Sequence, residues 1–417
     1  MLEYASLIIF AACLIGFIMT WGVGANDLAN IMSTTIGSRA ISIRTGIIIA
    51  IIFEFAGALL GGEHVTNTVR SGIINANLLS HHPYTLVFGL LSVLIASSAW
   101  MLLASYLGMP VSITNAIVGG LVGLGAIVLG AHAVHWGKVG AIAASWILSP
   151  TIACIVAYLL FQTIRRSIFN TTSPAKNAKR FLPAYFFLVG IVLADMTILK
   201  GLRHFGIEPS HLQSFGIVFI AALIITLFGL QLAKRTSYQP GEKRFKQHIY
   251  IEKLFSLLMA FTACAMVFAH GSNDVAIAMG PVSALISAAH HHGHIVGNAP
   301  GWILWFGCLG VVCGLIMYGR KVIKTVGHNI TDLTPSRAFA ATLASAATVI
   351  VSTSTGIPVS ATQTLVGGVL GVGLARGIGA LNIKTVRNIL LSWFVTIPAS
   401  AGLAILCFYC LTYLFGV

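Results

Sequence analysis

Apolar residues recur along this chain in runs of about twenty, separated by short polar breaks. A helix that crosses the hydrocarbon core of a bilayer needs about 20 such residues. The pattern therefore predicts helices at 4–21, 44–62, 84–107, 111–131, 139–163, 182–199, 213–233, 252–270, 301–319, 337–355, 358–375 and 386–414. The expected fold class is an all-α polytopic membrane protein with about 12 transmembrane or re-entrant segments. A signal peptide does not account for the first run. Leu7 to Thr20 is one of many, and Glu3 stands where a basic n-region belongs.

The pattern also repeats. GANDLAN, Gly24 to Asn30, returns as GSNDVAI, Gly271 to Ile277, with Asp27 and Asp274 247 residues apart. PVSITNAIVGG, Pro110 to Gly120, matches PVSATQTLVGG, Pro358 to Gly368, at 248, and Trp146 matches Trp393 at 247. A weaker echo at 257 joins VTNTV (65–69) to VIKTV (322–326). Seven predicted segments separate the two Asn-Asp pairs, an odd number, so the halves enter the membrane with opposite orientation. The expected organisation is a first inverted repeat over 1–165 and a linking segment over 166–250, with two transmembrane helices and two basic loops. A second inverted repeat follows over 251–417. Inverted repeats that hold a substrate at their interface are a common carrier architecture.

Charge sharpens this picture. Only 8% of residues are charged, against about 25% in soluble domains, yet the net charge is +14. Arg165, Arg166, Lys176, Lys179 and Arg180 fall in one polar connection, and Lys234, Arg235, Lys243, Arg244 and Lys246 in another. That is the distribution the positive-inside rule gives to cytoplasmic loops, and no nucleic-acid partner is implied. Five predicted segments precede the first basic loop, which places both termini outside a multi-pass cell-membrane protein. The seven cysteines all lie in apolar segments and read as packing residues. HHHGH, His290 to His294, has metal-ligating chemistry, but its place between apolar runs reads as a solvated loop.

Acids inside apolar segments are costly unless they are paired or face water. Asp27, Glu54, Asp195 and Asp274 are such acids, and Asp195 reads as a snorkelling acid near a helix end. Asp27 and Asp274 differ in being duplicated, each preceded by an asparagine (Asn26, Asn273) and flanked by glycine. Glycine lets a helix open and offer carbonyl oxygens, so carboxylate, amide and carbonyl together describe a Na⁺ site. In PVSxT, proline suits a first helical turn, and the helix N-terminus offers free N–H groups to an anion. Ser112, Thr114 and Asn115 in one half, with Ser360, Thr362 and Gln363 in the other, add side-chain partners. The glycine pairs 119–120 and 367–368 permit close helix packing. A site of this kind without lysine or arginine binds an oxyanion reversibly. Cations held at Asp27 and Asp274 would remove the repulsion between carboxylate and anion, which couples the two. An anion channel has no need of duplicated acids. An intramembrane phosphatase needs a nucleophile and a base in one place, whereas the histidines, His270 excepted, cluster in loops. No enzyme activity and no cofactor beyond a coupling ion are expected.

At these residues the chain resembles the inorganic phosphate transporter (PiT) family. GANDLAN and HGSNDVAIAMGP resemble its GAND-type signature, PVSxT resembles its second motif, and the likeness spans residues 15–400. The resemblance implies symport of phosphate with Na⁺ or H⁺. It carries roles to Asn26, Asp27, Asn273, Asp274, Ser112, Thr114, Ser360 and Thr362, and Glu54 in FEFAG matches a family glutamate with an accessory part. The chain departs from the family in two places. Many members have histidine after PVSxT, where Asn115 and Gln363 stand here. Many carry glutamate before the second motif, where ATLAS has Thr342. The family also includes sulfate permeases. The resulting expectation is Na⁺-coupled phosphate uptake, with H⁺-coupled or metal-phosphate symport and sulfate transport as alternatives and homo-oligomerisation left open.

Overall fold

A computed structural model describes residues 5–74, 83–128, 130–237, 243–319, 323 and 332–416; most of VIKTV lies outside them. The described residues form thirteen helices. The first half holds α1 (Ala5–Gly37), α2 (Ile43–Gly61), α3 (Glu63–Ser71), α4 (Pro83–Tyr106), α5 (Ile113–Val128) and α6 (Trp136–Phe169). Next come α7 (Pro174–Leu202) and α8 (His211–Ala233). The last five are α9 (Arg244–His290), α10 (Gly301–Gly319), α11 (Pro335–Ser354), α12 (Ala361–Arg376) and α13 (Ile383–Phe415).

Among the described residues nine helices are long and apolar enough to cross a membrane, against the twelve segments expected. The other three expected segments correspond to α5, α11 and α12. α5 and α12 have 16 residues each, about 24 Å at 1.5 Å per residue, and fall short of a core about 30 Å thick. α11 is 20 residues long but rich in alanine, serine and threonine, which its enclosure by protein permits.

Two boundaries expected from the sequence are wrong for the same reason. The segments 4–21 and 252–270 do not stop at the Asn-Asp motifs. α1 continues to Gly37, and α9 runs 47 residues to His290. The continuations ANIMSTTIG and AIAMGPVSALISAAH are almost wholly buried, so they need no lipid-facing surface. The helices do not open at the motif glycines either. Gly24–Leu28 and Gly271–Val275 are π-helical turns inside otherwise regular helices. Such turns insert one extra residue and recur at functional sites.

The two halves pack reciprocally. α1 packs on α10 and α9 on α2; α6 packs on α12 and α13 on α5; α6 packs on α11 and α13 on α4. Each half therefore completes the other. Close backbone contact sets the first of these pairings. A Cβ on Gly24 would lie 1.8 Å from the Val311 carbonyl oxygen, and one on Gly271 would lie 2.3 Å from that of Glu54. Val311 and Glu54 are themselves 257 residues apart, the spacing of the weaker echo.

Polar contacts knit the face that carries both basic loops. Arg165 donates to the Ala375 carbonyl, and Arg337 and Arg376 donate to that of Asp332. Arg244 donates to Thr171 O, and Glu252 accepts from the Ser336 amide at 2.8 Å. The opposite surface of the linking pair is apolar: Leu212, Phe215, Ile224 and Leu227 of α8 are exposed, as a lipid-facing helix requires.

Candidate ion and anion site

The two π turns meet the loops that open α5 and α12. Asn26 donates through Nδ2 to Met109 O and Ser105 Oγ, both at 3.2 Å. Asp27 Oδ2 accepts from the Ile113 amide at 3.4 Å. In the second half Asn273 pairs with Val359 twice, Nδ2 donating to its carbonyl at 2.6 Å and Oδ1 accepting from its amide at 3.3 Å. Each Asn-Asp motif thus holds the PVSxT loop of its own half. Thr114 of the first loop donates to Val359 O of the second at 2.9 Å, Thr362 of the second faces Asp27, and Asp27 and Asp274 are close enough to repel each other. Four motifs spread over more than 300 residues converge on one buried place.

The first turns differ from expectation in one detail. Proline is not the first helical residue; it stands two positions before the capping serine. Ser112 Oγ accepts from the Asn115 amide at 3.4 Å and Ser360 Oγ from the Gln363 amide at 3.1 Å. A hydroxyl that caps a helix as acceptor keeps its own proton for another partner. Thr114 spends its proton on Val359 and therefore links the two loops. Two serines from the long helices brace the same loops across the halves, Ser145 of α6 donating to Pro358 O at 3.3 Å and Ser392 of α13 to Pro110 O at 3.1 Å.

Glu54 is fully buried, and its partner is His270, the one histidine that its sequence position kept out of the loop clusters. Its Oε1 lies 2.7 Å from His270 Nδ1, and His270 Nε2 lies 3.5 Å from Asp274 Oδ2. The signal for His270 was its place one helical turn before Asp274. The first half has no such pair: the matching positions are Val23 and Val311.

Several buried oxygens here have no protein donor: Asp27 Oδ1, Asn115 Oδ1 and Gln363 Oε1, together with Asp274 Oδ2. Buried polar atoms are nearly always paired, and bare carboxylate oxygens at Asp27 and Asp274 suit a hard cation. Among the described residues no three His, Cys, Asp or Glu side chains group as metal ligands. A Na⁺ site built on carboxylate, amide and backbone oxygens does not need such a group. His290, His291, His292 and His294 are exposed at and just beyond the end of α9.

A cavity of about 480 Å³ reaches Pro110 of the first PVSxT loop and Thr362 of the second. Asn30, Ser33, Thr34, Thr362, Asn388 and Ser392 line it together with Leu333, the neighbour of Asp332, whose carbonyl accepts from Arg337 and Arg376. Its lining is uncharged and mostly apolar, with Trp100, Leu365 and Ile389 beside these polar groups.

The family model described as "Phosphate transporter family" matches residues 23–404. A Haemophilus influenzae protein named "Putative phosphate permease" is 45% identical over 99% of both chains. "Inorganic phosphate transporter 2-1, chloroplastic" of Arabidopsis thaliana is 39% identical over 96% of this chain and 71% of its own. A solved structure titled "The sodium-dependent phosphate transporter" superposes with a TM-score of 0.86 at 33% identity, covering 98% of this chain and 99% of that one. With its helical membrane fold and the family's motifs gathered at one site, this chain belongs to the phosphate transporter family.

Proposed function

We propose that the chain carries inorganic phosphate into the cell by symport with Na⁺. The observation that carries this reading is the contact of the Asp27 carboxylate with the first turn of α5, through the Ile113 amide. A cation held by Asp27 would sit beside the N–H groups and serine hydroxyls that receive the anion. Asn26, Asp27, Asn273 and Asp274 hold Na⁺, and Ser112, Thr114, Asn115, Ser360, Thr362 and Gln363 form the phosphate site. Glu54 supports Asp274 through His270. The sodium-dependent relative, at 33% identity over nearly the whole chain, supports the choice of ion.

The halves, 1–165 and 251–417 around a linking segment 166–250, are read as inverted repeats. The helices between α1 and α9 number an even count of passes, whether α4 and α5 cross separately or turn back as one hairpin. α1 and α9 then run antiparallel, both termini lie outside, and the cavity opens to the cytoplasm. Phosphate uptake into proteoliposomes tests the reading, with Na⁺ and pH gradients imposed separately. Accumulation should follow the Na⁺ gradient. Uptake driven by the pH gradient alone would assign H⁺ as the coupling ion, and uptake indifferent to both would point to a channel.

A further inference from the structure

We infer that Asn115 and Gln363 select oxyanions that carry a hydroxyl group, admitting phosphate and refusing sulfate. The inference rests on the phosphate reading above and concerns how that site discriminates. Both residues stand in the first turn of a short helix, three positions after its capping serine. Their backbone amides are taken by Ser112 Oγ and Ser360 Oγ, so their side chains are what they present to an anion. Asn115 Nδ2 donates to the Trp393 carbonyl of α13 at 3.4 Å. That bond fixes the amide, because the flipped orientation would set two carbonyl oxygens against each other. Asn115 Oδ1 therefore faces away from α13, and it is buried without a donor. Gln363 Oε1 is in the same condition at the matching position, and both residues are only 1% exposed.

A pocket for a bare tetrahedral anion wants donors alone. This one offers donors from Ser112 and Ser360 and also presents two carbonyl oxygens, the negative ends of amide dipoles. Phosphate at neutral pH retains at least one P–OH and donates to such an oxygen. Sulfate has no proton to give, so it would leave the acceptors unpaired and meet them with like polarity. Sites built around a substrate hydroxyl discriminate strongly because the buried partner is orphaned when that hydroxyl is missing.

The test uses anions matched in shape. Uptake of labelled phosphate by the full chain in proteoliposomes is competed with arsenate, sulfate and fluorophosphate. Fluorophosphate keeps the tetrahedral form and double charge of hydrogen phosphate but carries fluorine in place of the hydroxyl. Arsenate should compete at concentrations close to phosphate itself. Fluorophosphate and sulfate should need roughly tenfold more, or beyond. In Asn115→Leu and Gln363→Met, phosphate should weaken by about tenfold and the gap between arsenate and fluorophosphate should narrow. Fluorophosphate competing in the wild type as well as arsenate overturns the inference, and this arm needs no variant to fold. Variants that lose Na⁺ dependence while keeping the arsenate–fluorophosphate gap would assign the two oxygens to the cation and overturn it as well. A wild type that takes up no phosphate refutes the symport reading instead. The ranking of anions is then read from thermal stabilisation of the purified chain, where equal stabilisation by arsenate and fluorophosphate refutes this inference separately.

Discussion

Replacing Asp27 or Asp274 by asparagine removes one negative charge and almost no volume. The local bonds survive: an asparagine oxygen at position 27 still accepts from the Ile113 amide, now 3.4 Å from Asp27 Oδ2, and one at 274 still accepts from Asn273. What is lost is the attraction for the cation. A unit charge about 4 Å away in a medium of effective dielectric near 20 contributes about 4 kcal/mol, which is about a thousandfold in affinity at roughly 1.4 kcal/mol per tenfold. Water in the cavity screens part of this, so the half-saturating Na⁺ concentration should rise by at least about tenfold and at most about a thousandfold. Phosphate accumulation should collapse in both variants. The assay is phosphate uptake against Na⁺ concentration at fixed pH, with size-exclusion profiles as the folding control. Asp274→Asn has a second consequence, since His270 Nε2 at 3.5 Å loses an anionic neighbour and the ring keeps its hydrogen-bond partner Glu54. Wild-type Na⁺ dependence in both variants would make the Asn-Asp pairs structural and refute the coupling argument. If H⁺ is the coupling ion, the wild type will ignore Na⁺ and the variants will lose their response to pH.

Ser112→Ala and Ser360→Ala each delete a hydroxyl donor to a charged ligand, a loss of about 1.5–3 kcal/mol; phosphate affinity should fall by tenfold or more while Na⁺ binding without phosphate persists, and unchanged KM in both would return PVSxT to packing. Gly24→Ala forces a Cβ to 1.8 Å from the Val311 carbonyl and should lower the melting temperature sharply, whereas Gly137→Ala, with nothing within 4 Å, should not; equal melting would refute the close approach of α1 and α10. In a cysteine-free background, Lys176→Cys and Lys243→Cys should react only with reagents on the cytoplasmic side and His211→Cys only with those outside, all three positions being exposed. Labelling of positions 176 and 243 from opposite sides would break the inverted topology.

The motifs, their duplication and their chemistry were legible because a charged or amide side chain in an apolar run stands out locally. The ends of α1 and α9 were not, because hydropathy detects contact with lipid, and residues 29–37 and 276–290 touch almost none. The π turns were invisible for a related reason. Glycine next to Asn-Asp is compatible with a broken helix and with a widened one. Here the carbonyls of Val311 and Glu54, brought up by distant helices, lie where any larger residue would collide. The pairing of Glu54 with His270 spans 216 residues, and no local pattern announces it. The short α5 and α12 were read as full segments because their glycine-rich apolar stretches begin before the helices do; the capping serines place their true starts later.

The same duplication that makes the motifs legible leaves the direction of opening unexplained, since two equivalent halves would open equally to either face. The asymmetry has to come from residues that differ. Asn30, Ser33 and Thr34 of α1 line the cavity, and the positions 247 residues on are Ile277, Gly280 and Pro281, all buried in α9. A polar helix surface tolerates water, whereas an isoleucine, a glycine and a proline favour dry packing. The second half instead carries its polar pair, His270 and Glu54, one turn from Asp274 and locked between α9 and α2. That pair binds the second Asn-Asp turn to its neighbour with a hydrogen bond, where the matching positions of the first half hold Val23 and Val311. The α9–α2 interface thus carries a buried hydrogen bond that the matching positions of the α1–α10 interface lack. Residues that the halves share cannot choose a face, so a test of that choice falls on Asn30, Ser33, Thr34, Glu54 and His270, which they do not share.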